Sequence, residues 1–187
     1  MDEKDLVRRS KAGEEEAFGV LVNTYKTKVY HLAFSLTHNA QTADDLAQEV
    51  FIKAYFALEK FQEKSGFGTW IYRIAVNHCR DFLRKKNRMT QIPLENIIGK
   101  ISAQEVETHP EEKEQEETQR RKLVHTAIQT LPAKYRIILT LRDIQDFPYN
   151  EITKILDISP GTVDSRLHRA RKMLRKKLEP YFSQKGE

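Results

Sequence analysis

The residues with the clearest chemistry lie near the end of the chain. Val163, Leu167, Ala170 and Leu174 recur at spacings of 4, 3 and 4, which is the buried stripe of a single helix. The opposite face carries Asp164, Ser165, His168, Arg169 and Lys172, with Arg166 and Arg171 at the flanks. A helix of this kind fits a DNA major groove, where Arg, Ser and His reach base edges and phosphates. Ser159 is a good N-cap for it, and Pro160 suits its first turn, where no N–H donor is needed. Tyr149 to Leu156 predicts a shorter amphipathic helix opened by Pro148, with Ile152, Ile155 and Leu156 apolar and Asp157-Ile158 as the turn. Two short helices joined tightly, the second rich in Arg, predict a helix-turn-helix. The bland alternative is a surface helix bearing solvated arginines.

A second basic surface lies earlier. A helix is expected from about Thr69 to Lys86, with Trp70, Ile71, Ile74, Ala75, His78 and Phe82 on its core face. Arg73, Asn77, Arg80 and Arg84 recur on another face at spacings of 4, 3 and 4, and Lys85, Lys86 and Arg88 extend the charge. An Asn among arginines suits nucleic acid, because its amide both donates and accepts. The loop before this helix holds Phe61 and Phe67, and aromatics beside a basic face suit stacking on unpaired bases. The competing reading is that the aromatics are core, which is the expectation for Trp70 and Phe82. His78 and Cys79 read as structural, since no metal-ligand spacing surrounds them.

Asp44, Asp45, Gln48 and Glu49 form an acidic patch. Thr42-Ala43-Asp44-Asp45 predicts a capping box, and carboxylates there also favour the helix dipole. The sharper reading is a partner-facing surface. The helix behind the patch carries Leu46, Val50, Ala54 and Leu58 on one face, and Lys64 to Gly68 breaks the pattern as a loop.

These surfaces need helices to hold them. The chain has 187 residues with 39% apolar and 32% charged side chains, the balance of a soluble globular protein. Ala, Leu, Glu, Lys and Arg recur at helical spacing, which predicts an all-α fold. Ala17, Leu21, Val22 and Tyr25 form one apolar stripe, and Val29, Leu32, Ala33 and Leu36 form the next. Leu123, Ala127, Ile128 and Leu131 form another that ends at Pro132, and a further helix is expected over about Lys134 to Leu141. Charge divides the chain: net +3 over residues 1–90, −6 over 91–118 and +8 over 119–187. The middle segment holds Pro93, Gly99, Pro110 and the run Glu111 to Glu117, and reads as an acidic linker. The expected layout is two small helical domains, 1–90 and 119–187, joined by that flexible linker of residues 91–118. The basic segments recruit polyanions through phosphate contacts and counterion release. Cys79 is the single cysteine, which excludes an intrachain disulfide and fits a reducing cytoplasm. The N-terminus lacks the apolar core of a signal peptide, and no apolar run approaches a membrane span.

The runs Asp44-Asp45-Leu46-Ala47-Gln48-Glu49-Val50-Phe51 and Phe67-Gly68-Thr69-Trp70-Ile71-Tyr72-Arg73-Ile74-Ala75-Val76-Asn77 resemble region 2 of bacterial sigma factors. Leu131-Pro132-Ala133-Lys134-Tyr135-Arg136 resembles the opening of sigma region 4, and Gly161 to Arg171 its recognition helix. Two domains and a short linker resemble the extracytoplasmic-function group, the smallest of these factors. The resemblance implies a transcription initiation factor that binds core RNA polymerase and melts promoter DNA, without being an enzyme. It implies that Asp44, Asp45, Gln48 and Glu49 dock on the β′ clamp, and that region 4 meets the β flap. The loop from Gln62 to Phe67 would capture a flipped −10 base beside Asn77, while Arg73, Arg80 and Arg84 follow the strand. Arg142, Tyr149, Ser165, Arg166, His168, Arg169 and Lys172 would contact the −35 element, and the linker would thread a basic polymerase channel. An anti-sigma factor is the implied regulator; no cofactor, metal or membrane contact is implied, and the implied location is the cytoplasm.

Two positions depart from the family pattern. Asp164 stands where Lys or Arg is frequent, so it either accepts from cytosine N4 or sits off the groove. Thr153 stands where Ala is usual, a packing variation. Two rivals are a stand-alone helix-turn-helix regulator, for which Asp44 to Asn77 has no use, and a nucleic-acid enzyme. Against the enzyme, there is no Gly-rich phosphate loop, metal cluster or nucleophile–base arrangement. Promoter elements one and a half to two turns apart lie roughly 50–70 Å from each other. A 28-residue linker reaches ~90–100 Å when fully extended but averages only ~30 Å as a coil. The free chain is therefore not expected to hold its domains in promoter register.

Overall fold

The computed structural model describes residues 2–89, 123–124 and 126–182. The expected linker and the start of the helix predicted near Gln119 lie outside the described residues. Among those described the structure is helical, without a strand.

The first unit is built from four helices: α1 (Glu3–Lys11), α2 (Glu15–Thr37), α3 (Ala40–Ala57) and α4 (Phe67–Met89). Leu21, Leu32 and Leu36 of α2 interlock with Leu46, Val50 and Ala54 of α3 and with Ile71, Ala75 and Cys79 of α4, all buried. Leu6 and Val7 fix α1 onto this core. Leu58 is buried as expected, but in a 3₁₀ turn that follows α3.

Helix α3 begins at Ala40, ahead of the capping box expected at Thr42. His38 turns the chain at the end of α2 with a φ of 55°, which places Asn39 as the N-cap. The Asn39 side chain accepts from the Thr42 N–H at 2.8 Å, so Thr42 is the capped residue and not the cap. Helix α4 likewise starts at Phe67, two residues before the expected Thr69. Gly68 belongs to its first turn and is there for close packing. A Cβ at Gly68 would lie 2.9 Å from the Tyr25 hydroxyl oxygen.

The second unit holds α5 (Ala133–Leu139), α6 (Tyr149–Leu156) and α7 (Pro160–Phe182). The helix expected over Lys134 to Leu141 passes into a π-helical turn, Thr140–Ile144. Ile137, Ile138, Leu141, Ile152, Ile155, Val163, Leu167 and Ala170 close its core.

The two units pack on each other. The Thr140 hydroxyl donates to the Ser35 hydroxyl at 3.2 Å, and the Gln145 amide to the Lys28 carbonyl at 3.0 Å. An Arg136 Nη1 donates to His38 Nε2, and burial lowers the Arg136 pKa. Tyr72 meets Phe147 edge-on at 4.6 Å. Tyr72 is thus buried on the outer side of α4, where its own helix gives no reason for burial.

Candidate nucleic-acid interface and docking face

The recognition unit is assembled by local chemistry. Asp157 ends α6 with a φ of 52°, and the Ile158 N–H bonds the Thr153 carbonyl at 3.2 Å. The Ser159 hydroxyl accepts from the Thr162 N–H at 3.2 Å, capping α7 as its sequence position predicts. A Ser159→Ala variant should lose about 1 kcal/mol of stability, read by denaturant unfolding. Thr153 caps its own turn by donating to the Asn150 carbonyl at 2.7 Å.

On α7, Asp164, Ser165, His168, Arg169 and Lys172 are exposed. Asp164 shares a groove with His168, Arg171 and Lys172, so it sits among the basic side chains rather than away from them. Arg171 makes a two-point contact with Asp143 at 2.6 and 3.1 Å, and that hydrogen bonding raises its pKa and ties α7 to the π turn. Arg142 donates to Asp146 and to the Phe147 carbonyl, both at 3.1 Å, and lies 5.5 Å from the Tyr149 ring centre. It therefore braces the turn into α6 as well as standing beside the expected DNA face.

Arg166 is half-buried and turns toward Arg80 of α4. Burial, then the neighbouring Arg166 charge, lowers the Arg80 pKa. Two arginines expected on different promoter elements thus face each other. The Thr69 hydroxyl donates to Glu151 at 3.2 Å, which seats α6 on the start of α4.

Arg73 and Asn77 are exposed on α4, and Arg84 is exposed with an ion pair to Asp81 at 3.1 Å. The loop before α4 forms a pocket with Lys60, Phe61, Gln62, Lys64, Ser65, Trp70 and Arg73, and Lys154 of α6 reaches the same pocket. Phe67 does not line it. Its ring is 1% exposed and lies 5.5 Å from both Tyr25 and Trp70. Phe61 is buried in the same cluster, 4.8 Å from Trp70. The stacking role expected of Phe67 is corrected: its ring holds the loop from behind, whereas Phe61 and Trp70 line the pocket together with the loop's polar side chains. Trp70 is buried as expected, whereas Phe82 is only partly so.

The acidic patch divides. Asp44 accepts from Gln48 at 2.8 Å and Asp45 from Gln41 at 3.0 Å, all on the outside of α3. Glu49 leans back to α4, where its carboxylate meets His78 Nε2 at 2.6 Å. The other ring nitrogen of His78 is 2.6 Å from Lys53 Nζ. Glu49 thus braces the helix pair, unlike its neighbours. An apolar strip that the sequence reading missed continues the patch. Asp44, Gln48, Phe51 and Ile52 line a groove with Val22 and Tyr30, and Ile52 and Phe56 stand 56% and 79% exposed. The signal was present: positions 44, 48, 52 and 56 are four apart and fall off the buried stripe.

Cys79 is buried, and its thiol is pushed up to about 12 by that burial. Among the described residues no cluster of His, Cys, Asp and Glu could hold a metal, and no helix is long and apolar enough to cross a membrane.

Residues 21–89 match the family model for Sigma-70 region 2, and residues 121–174 match that for Sigma-70, region 4. The chain is 37% identical to the RNA polymerase sigma-H factor of Pseudomonas aeruginosa, covering 95% of this chain and 94% of that one. It is 36% identical to the ECF RNA polymerase sigma-E factor of Haemophilus influenzae, with 96% and 97% covered. It is 35% identical to the ECF RNA polymerase sigma factor SigW of Bacillus subtilis, with 94% and 96% covered. Among solved structures, CnrH in complex with the cytosolic domain of CnrY shares the fold. That match has a TM-score of 0.70 at 24% identity, over 95% of this chain and 97% of that one. RpoE in complex with the anti-sigma factor NepR from Bartonella quintana shares it too, with a TM-score of 0.69 at 23% identity, over 87% and 96%.

Proposed function

From the membership of this chain in the extracytoplasmic-function group of RNA polymerase sigma factors, we propose how its residues divide the work of promoter recognition. The chain directs core RNA polymerase to promoters. Ser165, His168, Arg169 and Lys172 read the −35 element in the major groove, with Arg142 and Tyr149 at its edge. The pocket of Gln62, Lys64, Ser65 and Arg73 captures a −10 base. Asn77 and Arg84 follow the opened strand; once the two units part, Arg80 joins them there and Arg166 joins the −35 contact. Asp44, Asp45 and Gln48 dock on the polymerase clamp, and Ile52 and Phe56 extend that contact. The observation that carries this reading is the pairing, in one chain, of an exposed Arg-bearing recognition helix with a pocket of aromatic and polar side chains beside a second basic helix.

The packing of the units supports a cycle. With Thr69 and Glu151 in hydrogen-bond contact, the two reading surfaces are juxtaposed. Promoter elements roughly 50–70 Å apart demand that they separate. Polymerase therefore opens the molecule on binding, and the domains 1–90 and 119–187 then move as two bodies linked by residues 91–118. An anti-sigma factor acting in the cytoplasm is the natural opponent, as NepR is in the RpoE complex. Melting proceeds without nucleotide hydrolysis by this chain, so the chain is no enzyme.

The test is transcription reconstituted from purified chain and core polymerase. Specific starts are expected from holoenzyme, with only weak duplex binding by the chain alone. Tight operator-like binding without polymerase, and no specific starts with it, would favour the stand-alone regulator.

A further inference from the structure

Helix α1 lies outside the region 2 match, which begins at residue 21. It nevertheless grips the pocket loop at both ends. At one end the Glu3 carboxylate accepts from the Phe67 N–H at 3.2 Å and, through its other oxygen, from the Tyr25 hydroxyl. At the other, Lys11 Nζ donates to the Phe61 carbonyl at 2.9 Å and lies 3.8 Å from the Glu63 carboxylate. Between these points Glu63 holds a φ of 55°, a conformation that a non-glycine residue keeps only under outside constraint.

The Phe67 N–H belongs to the first turn of α4 and has no partner within that helix, so Glu3 satisfies an open donor at the positive end of the helix. Tyr25 is held by the same carboxylate against Gly68, where no Cβ intervenes. Glu3 thereby joins α1, α2 and the start of α4 at one point. The span from Phe61 to Phe67 has its length and its end directions set from outside the loop. Gln62, Lys64 and Ser65 inherit their positions from that setting.

We propose that Glu3 and Lys11 of α1 form a two-point clamp that shapes the −10 pocket, with Glu3 as a positioning residue for base discrimination. The proposal rests on the reading that residues 62–65 receive the captured base. Glu3 touches no DNA; it acts through the backbone of Phe67 and the ring of Tyr25. A glutamine at position 3 can still accept from the Phe67 N–H and donate to the Tyr25 oxygen, so it retains the clamp. An alanine cannot.

The experiment uses full-length chain in holoenzyme and a promoter selected by the wild-type holoenzyme from a library randomised in the −10 element. Open-complex rates are measured on that promoter and on the three templates changed at the most discriminating base. The readout is the ratio of rates within each variant, which a loss of folded protein leaves unaltered. Glu3→Ala and Lys11→Met should lower the ratio by about 10-fold, the worth of one charge-assisted hydrogen bond. Glu3→Gln should keep it near wild type. A uniform slowing by Glu3→Ala, with the ratio intact, overturns the clamp. The triple variant Gln62→Ala/Lys64→Ala/Ser65→Ala separates the two layers. If it collapses the ratio while Glu3→Ala does not, the clamp is wrong and the pocket stands. If it leaves the ratio intact, the pocket reading itself is overturned.

Discussion

Oxidising a Ser35→Cys/Thr140→Cys double variant should abolish promoter-directed transcription, by about 100-fold or more, and a thiol reductant should restore it. The two native hydroxyls are 3.2 Å apart, and Ser35 and Thr140 are 6% and 1% exposed. Side chains in direct contact put the two positions within the reach from which a disulfide can form. Cys79 does not compete, because burial raises its thiol pKa and hides it from oxidant. The lock ties α2 to the π turn and so holds the two units together, and the proposed −10 pocket and the recognition helix then cannot reach elements roughly 50–70 Å apart.

The unlocked interface is built to part. Tyr72 Oη, Arg136 Nε and Gln145 Oε1 are buried at or near it without a hydrogen-bond partner among the described residues. Each such group costs about 1–3 kcal/mol. Arg80 and Arg166 add like-charge repulsion. Each cysteine variant alone should therefore transcribe close to wild type, since it forms no covalent tie. Transcription by the fully oxidised double variant at the wild-type rate would show that separation is not required.

Much of this was legible from residue order. The cap at Ser159, the stripe from Val163 to Ala170 and the Asp157 turn are local devices, and the structure builds each where its residues stand. What failed depended on packing and turn geometry that the spacing of one helix does not carry. Phe67 reads as a stacking platform until Tyr25, Phe61 and Trp70 enclose it. Thr42 and Asn39 are both competent caps, and only the left-handed turn at His38 decides between them. Periodicity describes one helix at a time and is silent on which helix arrives at its outer face.

That silence also hid the docking face, and the double variant Ile52→Ala/Phe56→Ala measures its worth. Core-polymerase affinity should fall by about 100-fold, the scale of a central apolar hot spot. The thermal midpoint should hardly move, because both side chains are largely exposed and their truncation removes little internal packing. Leu46→Ala on the buried side of the same helix should do the reverse. It should cost about 2–5 kcal/mol of stability and leave the affinity of the remaining folded protein nearly intact. The contrast works because Asp44, Gln48, Ile52 and Phe56 run down one side of α3 while Leu46, Val50 and Ala54 run down another. In the proposed contact the charged end of the strip steers the encounter, and the apolar end supplies the desolvated contact that slows release. Raising the salt concentration should therefore slow association of wild type and double variant alike, while only the double variant dissociates fast at every ionic strength. Equal dissociation rates for the two proteins would remove Ile52 and Phe56 from the polymerase contact.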